Sequence, residues 1–420
     1  MLFSVVLNRY LKMNQTALNK IYSKKQQIAL SNYYNNKNLF MLINHGAVRT
    51  GKTHVDNDIF LSEIIRIHRY ADENDLLSPL YILAGASIGN IEKNVLTPLR
   101  QKYGLNIKLD KYNSFSLMGV RVCCVGHDDK GRLSNIVGMT SFGAYINEGS
   151  LAHKDVFDEI LKRNSAAPDF TAKIIVDTNP DSPVHYLKTD YIDKADNKRI
   201  FAQQWELEDN TFLSKDYIDN MKNTTPSGVF FDRKIKGLWV SADGVVYLDY
   251  AERDHLIDEI SSFKFERYFC GVDWGYEHYG SICLFGVVGD TDILIEEITE
   301  QHKLIDFWKA EALKITDKYG KNIPFYCDSA RPDNITTFRQ SGIWALNADK
   351  NISPGIECVA KRFKERKLLI YRKGIKLFNN QIHSYCWDTK SGLPIKIDDD
   401  VMDAVRYGIY SDDIKYHRAR

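Results

Sequence analysis

The chain has 420 residues, long for a single hydrophobic core, so two domains are the default expectation. Its 56 basic and 55 acidic side chains nearly cancel, which excludes an overall field drawing it onto a polyanion; any such contact must come from local clusters. No apolar run approaches the roughly 18 residues a membrane span needs, and the opening "MLFSVVLNRYLK" has neither the basic start nor the cleavage site of a leader. The seven Cys show no C-x-x-C spacing and read as reduced thiols, so the expectation is a soluble, intracellular protein with no membrane partner.

The first informative stretch is "SKKQQIAL", where Gln26 or Gln27 is in position to read an adenine edge, although a solvated helix face is the better account of either one individually. From residue 38 to 180, short apolar runs ("LFMLIN", "PLYILAG", "VRVCCVG", "GAYIN", "KIIVDTN") alternate with longer amphipathic stretches. That alternation predicts an α/β domain with a parallel sheet and helices on both faces. The first strand runs into "GAVRTGKT", which fits G-x-x-x-x-G-K-[ST] at every fixed position. In such a loop the backbone N–H groups of Gly46, Arg49, Thr50 and Gly51 face phosphate, Lys52 neutralises it, and Thr53 supplies a hydroxyl to Mg²⁺. Arg49 is either a further contact to the γ-phosphate or a surface ion pair.

ATP hydrolysis also requires a carboxylate at a neighbouring strand end. "GAYINEGS" offers Asn147, an amide where an Asp is usual, and Glu148, the candidate for orienting the attacking water. "VDTNP" ends another apolar strand, and Thr178 or Asn179 there is a candidate γ-phosphate sensor. Residues 1–240 are therefore expected to form a P-loop ATPase domain, with a polar lid or linker over about 181–250.

From residue 251 to 420 a second domain is expected, with hairpin strands, then a helix, then another strand, which implies a mixed sheet. In "YFCGVDWGYEHYGS" an apolar run ends on Asp273, and "IPFYCDS" ends the same way on Asp328. A carboxylate at a strand end loses hydration and needs a hydrogen-bond partner, a cation or a metal. "KIDDDVMDAVRYGIY", read as a helix, sets Asp403 on one face with Asp399 or Asp400. That order of elements is the one in which an RNase H-like fold gathers acids at one edge. Asp273, Asp328 and Asp403, with Asp400 as a further candidate, are thus predicted to hold two Mg²⁺ or Mn²⁺ ions for phosphodiester cleavage. The stretch "KRFKERKLLIYRKGIK" is basic, and Lys361, Arg362, Lys364, Arg366 and Lys367 are predicted to contact DNA phosphates.

Taken together, "GAVRTGKT", "GAYINEGS", "DTNP", "GVDWGYEHYGS", "FYCDSARP" and "SYCWDTKSGLPIKIDDDVMDAVRYG" resemble the large terminase subunit of tailed bacteriophages over essentially the whole chain. The resemblance implies ATP-driven translocation of double-stranded DNA into a procapsid, and an RNase H-like endonuclease cutting concatemeric DNA. It also implies a small terminase subunit and the portal as partners, a homo-oligomeric ring on that portal, and residence in the host bacterial cytoplasm. Thr178 to Pro180 would couple hydrolysis to movement. Asn147 departs from the family's Asp, and Asp400 stands where relatives often carry His; Arg132 and Arg163 are candidates for a trans-acting arginine. The competing expectations are a P-loop helicase or repair ATPase with a non-cleaving second domain, and an ATP-dependent assembly protein without DNA chemistry.

Overall fold

The computed structural model describes residues 15–416; the apolar opening of residues 1–12 lies outside them. The chain divides into two compact units. One comprises the chain as far as Asp219 together with Asp232–Val240, and the other comprises Asn220–Phe231 and everything from Ser241 onward.

The first unit begins with α1 (Lys24–Asn35), whose N-terminus is closed by a reciprocal cap between Ser23 and Gln26. Its sheet contains β1 (Met41–Gly46), β2 (Leu80–Gly85), β3 (Ser114–Leu117), β4 (Val120–Gly126), β5 (Gly143–Ile146), β6 (Lys173–Thr178) and β7 (Ile200–Trp205). The spatial order is β3-β4-β2-β5-β6-β1-β7. All neighbours are parallel except β3, which turns back on β4 through Met118 and Gly119, both in the left-handed region as a two-residue hairpin requires. The expected parallel sheet is therefore mixed at one edge.

Successive residues of each central strand point to opposite faces. Leu42, Tyr145 and Ile175 pack with Val55, Ile59 and Phe60 of α2 (Lys52–Glu73). Their neighbours Ile43, Ile146 and Val176 pack with Val156, Phe157 and Ile160 of α3 (Lys154–Lys162). Burial on both faces is why these strands read as unbroken apolar runs. Strand β7 lies inside the stretch expected as lid or linker. It pairs parallel with β1 along its whole length. As an edge strand it sets Gln203 and Gln204 between Phe201 and Trp205, and the Gln203 amide is satisfied by the Lys25 carbonyl at 2.9 Å.

In the second unit β9 (Arg267–Asp273), β10 (Gly280–Val288) and β11 (Thr291–Glu300) form an antiparallel meander. Strands β12 (Phe325–Cys327) and β13 (Ala345–Asn347) add in parallel to β9, and β14 (Leu368–Tyr371) adds in parallel to β11, with the short β8 (Leu256–Ile257) at the far edge. One face carries Trp308, Ala312 and Ile315 of α4 (Ile305–Tyr319). The other is covered by Ile356, Val359 and Phe363 of α5 (Ile352–Lys364) and by Val401, Val405 and Ile409 of α6 (Asp400–Tyr416).

Helix α6 approaches β9 backbone to backbone. A Cβ on Gly271 would meet the Ala404 carbonyl oxygen at 1.9 Å and the Gly408 nitrogen at 2.6 Å. Neither neighbour can rotate away, so Gly271→Ala must push the helix off the strand. We expect a loss of about 1–3 kcal/mol or more in urea unfolding of the full chain.

A phosphate loop and an acidic cluster

At the C-terminal end of β1 the chain turns sharply at Gly46, where a side chain would strike the Trp205 carbonyl oxygen at 2.1 Å. The loop then enters α2 through Gly51 in the left-handed conformation. The Lys52 amine is buried beneath this loop, donating to the Gly46 and Ala47 carbonyls (3.0 and 2.5 Å), to Thr50 Oγ1 (3.2 Å) and to Asn179 Oδ1 (3.3 Å). Burial lowers its pKa to about 8, against the pull of Asp177 and Asp56. A cleft of about 640 Å³ opens over the loop. Arg49, Lys52, Thr53, Glu148, Thr178 and Asn179 all line it. The arginine's guanidinium makes no hydrogen bond or ion pair among the described residues, while its backbone carbonyl is held by Asn210 at 2.7 Å.

Glu148 sits just past β5 with φ at 58°, a strained conformation for a residue with a side chain, and such strain concentrates at functional positions. Its carboxylate accepts from Asn90 at 2.9 Å. Thr178 Oγ1 accepts the Ser150 N–H (2.8 Å) and donates to the Asn179 carbonyl (3.1 Å), so Asn179 is the partner that reaches Lys52. Gln26 does not face the cleft as an adenine reader. Its amide donates to the Gly51 carbonyl (3.0 Å) and its oxygen accepts the Ser23 N–H (2.8 Å), which makes it a brace for the phosphate loop. Gln27 is also committed, to Asn19 and to the Tyr22 carbonyl.

The residue sequence reasoning passed over is Asp177. It is buried at the end of β6, the strand between β1 and β5, and it accepts hydrogen bonds from Thr53 Oγ1, the Asn147 amide and the Glu148 N–H. Burial raises its pKa, opposed by those donors and by Lys52. The signal was present in "KIIVDT", which ends an apolar run on an Asp just as the Asp273 run does. Close by, Asp56 accepts from Asn44 at 2.7 Å while its other oxygen has no partner among the described residues, and burial together with Asp177 pushes its pKa well up. Of the two arginine candidates, Arg163 is tied to Glu159 at 2.5 Å on α3, whereas Arg132 is exposed.

In the second unit, β12 lies beside β9 in parallel, so Asp328 follows its strand at the same edge where Asp273 ends its own. The backbone contact at Gly271 sets the first turn of α6, with Asp400 and Asp403, against that edge. All four carboxylates are buried. The pKa of Asp273 is pushed well above the carboxylate range, first by burial and then by the charges of Asp403, Asp328, Asp400 and Asp399.

The cluster's partners are cations of the chain. Asp328 meets Lys350 at 2.6 Å; Asp403 meets Lys396 and Arg406, each at 2.8 Å; Asp400 meets His278 at 2.6 Å. Burial works to raise the Asp403 pKa, but Arg406 and Lys396 together outweigh it and bring the group below its usual value. As the side chains stand, no three His, Cys, Asp or Glu among the described residues converge closely enough to hold a metal ion. The expected ligand set of Asp273, Asp328 and Asp403 is therefore assembled as neighbours but not as a closed shell. The donors nevertheless suit a hard divalent cation. The Asp273 side chain has no hydrogen bond or ion pair of its own among the described residues, and the two lysines, 40% and 58% exposed, hold their buried acids from the solvent side.

The basic stretch differs most from expectation. Arg362 is only 7% exposed and clamps Asp292 (2.8 Å) and Asp413 (3.1 Å), which removes it from any surface. Lys364 is held by Asp249 and Ser227. The assignment of Arg362 to DNA contact is corrected to a structural role, because acids elsewhere in the chain neutralise what looks basic in isolation. Lys361, Arg366 and Lys367 form exposed pairs with Glu365, Asp254 and Asp290, and phosphate can compete for these at little cost.

A phosphate loop on a central parallel strand, with Glu148 just past the strand two places away in the same sheet, defines the first unit as a P-loop nucleoside-triphosphatase fold. More narrowly, residues 47–249 match the family described as terminase large subunit, T4likevirus-type, N-terminal, and this segment belongs to that family. The chain is similar in fold to the large terminase of a thermophilic bacteriophage, with 24% identity, 94% of this chain and 99% of that one covered, and a TM-score of 0.78. That phage protein is also known with ADP (23% identity, 94% and 100% covered, TM-score 0.77) and with ATP-gamma-S (23%, 93% and 98%, 0.74). At these identities the likeness is one of fold. No curated protein matches the chain.

The corrected roles predict a clean separation. Arg362→Ala should leave Asp292 buried without its cation and cost about 3–5 kcal/mol of stability. Lys361→Ala should leave thermal unfolding unchanged and lower DNA affinity at low salt, read by filter binding across a salt series.

Proposed function

We propose that the chain is a two-activity terminase large subunit, hydrolysing ATP to move double-stranded DNA and cutting that DNA with divalent metal ions. The observation that carries the first activity is the buried Lys52 amine under the loop, facing a cleft that Glu148 enters from the next strand but one. Lys52 is held by carbonyls and hydroxyls that polyphosphate oxygens can replace, and Glu148 is the group that orients the attacking water. Mg²⁺ would neutralise charge developing on the phosphates. Asn179, bonded to Lys52, stands where loss of the γ-phosphate would be felt and passed along β6.

For cleavage, Asp273 is the central ligand, with Asp328, Asp403 and Asp400 beside it. Five carboxylates, counting Asp399, face two lysines, one arginine and one histidine, and Asp273 is the acid left without a counter-ion of its own. Two Mg²⁺ or Mn²⁺ ions would supply activation of a water and stabilisation of the leaving oxygen. The second unit then acts as an RNase H-like nuclease. On this reading the chain works in the host cytoplasm with a small terminase subunit, at a procapsid portal, where copies assemble into a ring.

Purified full-length chain should hydrolyse ATP, more so with DNA present, and Lys52→Ala should reduce turnover at least about a hundredfold. The same variant should still nick supercoiled plasmid in Mn²⁺. Asp273→Ala should do the reverse, losing nicking on an agarose gel while keeping ATPase. Full metal-dependent nicking by the Asp273 variant would remove that residue from the reaction.

A further inference from the structure

A phosphate loop of this kind holds its divalent cation between the loop hydroxyl and one carboxylate. At the position where that carboxylate is expected, this chain has Asn147, which brings no charge. The amide is not turned toward the loop as a substitute ligand. Its oxygen accepts from Asn94 (3.0 Å), and its NH₂ lies across both oxygens of Asp177, at 2.8 and 3.1 Å. Asp177 in turn accepts the hydroxyl of Thr53, the loop residue that meets the metal, and the N–H of Glu148 at 3.0 Å. Strand order makes this geometry available, because β6 lies directly between the strand of the loop and the strand of Glu148.

We propose that Asp177 is the acidic partner of the divalent cation carried by ATP in this cleft, with Asn147 as the residue that positions it. The charge has moved one strand over. This rests on the reading of the cleft as a nucleotide site. A competing role, counter-ion to Lys52, fits less well: the amine's hydrogen bonds go to Gly46, Ala47, Thr50 and Asn179, and none goes to Asp177. The arrangement also accounts for the amide at 147. A second carboxylate at 2.8 Å from Asp177, both of them buried, would repel it strongly.

The test is equilibrium binding of a fluorescent ATP analogue to the full chain, in Mg²⁺ and in EDTA, with unfolding followed alongside. Wild type should bind at least about tenfold more tightly with Mg²⁺, the worth of one charge-assisted contact. Asp177→Asn should lose that gain while keeping its affinity in EDTA. The exchange Asn147→Asp with Asp177→Asn keeps one amide and one carboxylate facing each other, and should regain most of the Mg²⁺ dependence. The proposal is overturned if Asp177→Asn retains the full Mg²⁺ gain, or if the exchanged protein folds with wild-type stability and shows none. Should the single variant fail to fold, the exchanged protein decides alone. Wild type that binds no analogue in either buffer would remove the nucleotide reading itself, and this inference with it.

Discussion

Burying a carboxylate costs several kcal/mol unless a donor or cation meets it, and both units of this chain put carboxylates at the C-terminal ends of central strands. Asp177 ends β6 and Asp273 ends β9, each walled by apolar side chains of its own strand. What surrounds each acid follows from that cost. Around Asp177 the compensation is neutral donors: a hydroxyl, an amide and a backbone N–H. Around Asp273 no donor is supplied among the described residues, and its neighbours are further acids whose lysines stand on partly exposed stems. One acid is therefore met by fixed donors, and the other is left among acids with no donor of its own.

Much of the fold was legible because the central strands are buried on both faces. "LFMLIN", "VRVCCVG" and "KIIVDT" read as strands from their apolar runs, and they are β1, β4 and β6. Strand β7 was not legible. An edge strand has no continuous apolar requirement, so Gln203 and Gln204 make it look like the polar region around it, and the carbonyl that satisfies Gln203 lies far away in sequence at Lys25. The antiparallel β3 was hidden for a different reason, since its reversal depends on backbone angles at Met118 and Gly119 rather than on a strong turn pair.

The sites divide along the same line. The phosphate loop is a contiguous motif whose spacing is set by backbone geometry, so Lys52 and Thr53 could be named from seven or eight residues. Charge balance is a property of the fold, and local reading misjudged it in the basic stretch. "KRFKERK" looks like a polyanion-binding ridge, yet Arg362 pairs with aspartates about 50 and 70 residues away in sequence. The carboxylate that accepts from Thr53 and from the Asn147 amide, Asp177, lies on another strand, which the spacing around Asn147 does not show. Asp400 likewise takes its partner from outside its own helix, since His278 in the loop after β9 lies 2.6 Å from it.

The contact between Gly271 and the Ala404–Gly408 stretch of α6 has one further consequence. The pitch between Asp273 and Asp403 is governed by main-chain atoms touching main-chain atoms, an arrangement that dissolved ions do not screen. Lys350 and Lys396 reach the acids from partly exposed positions, so salt acts on those contacts and not on the backbone contact that spaces the acids. The spacing of the acids is thus set by backbone packing, and the medium acts on the counter-charges around them.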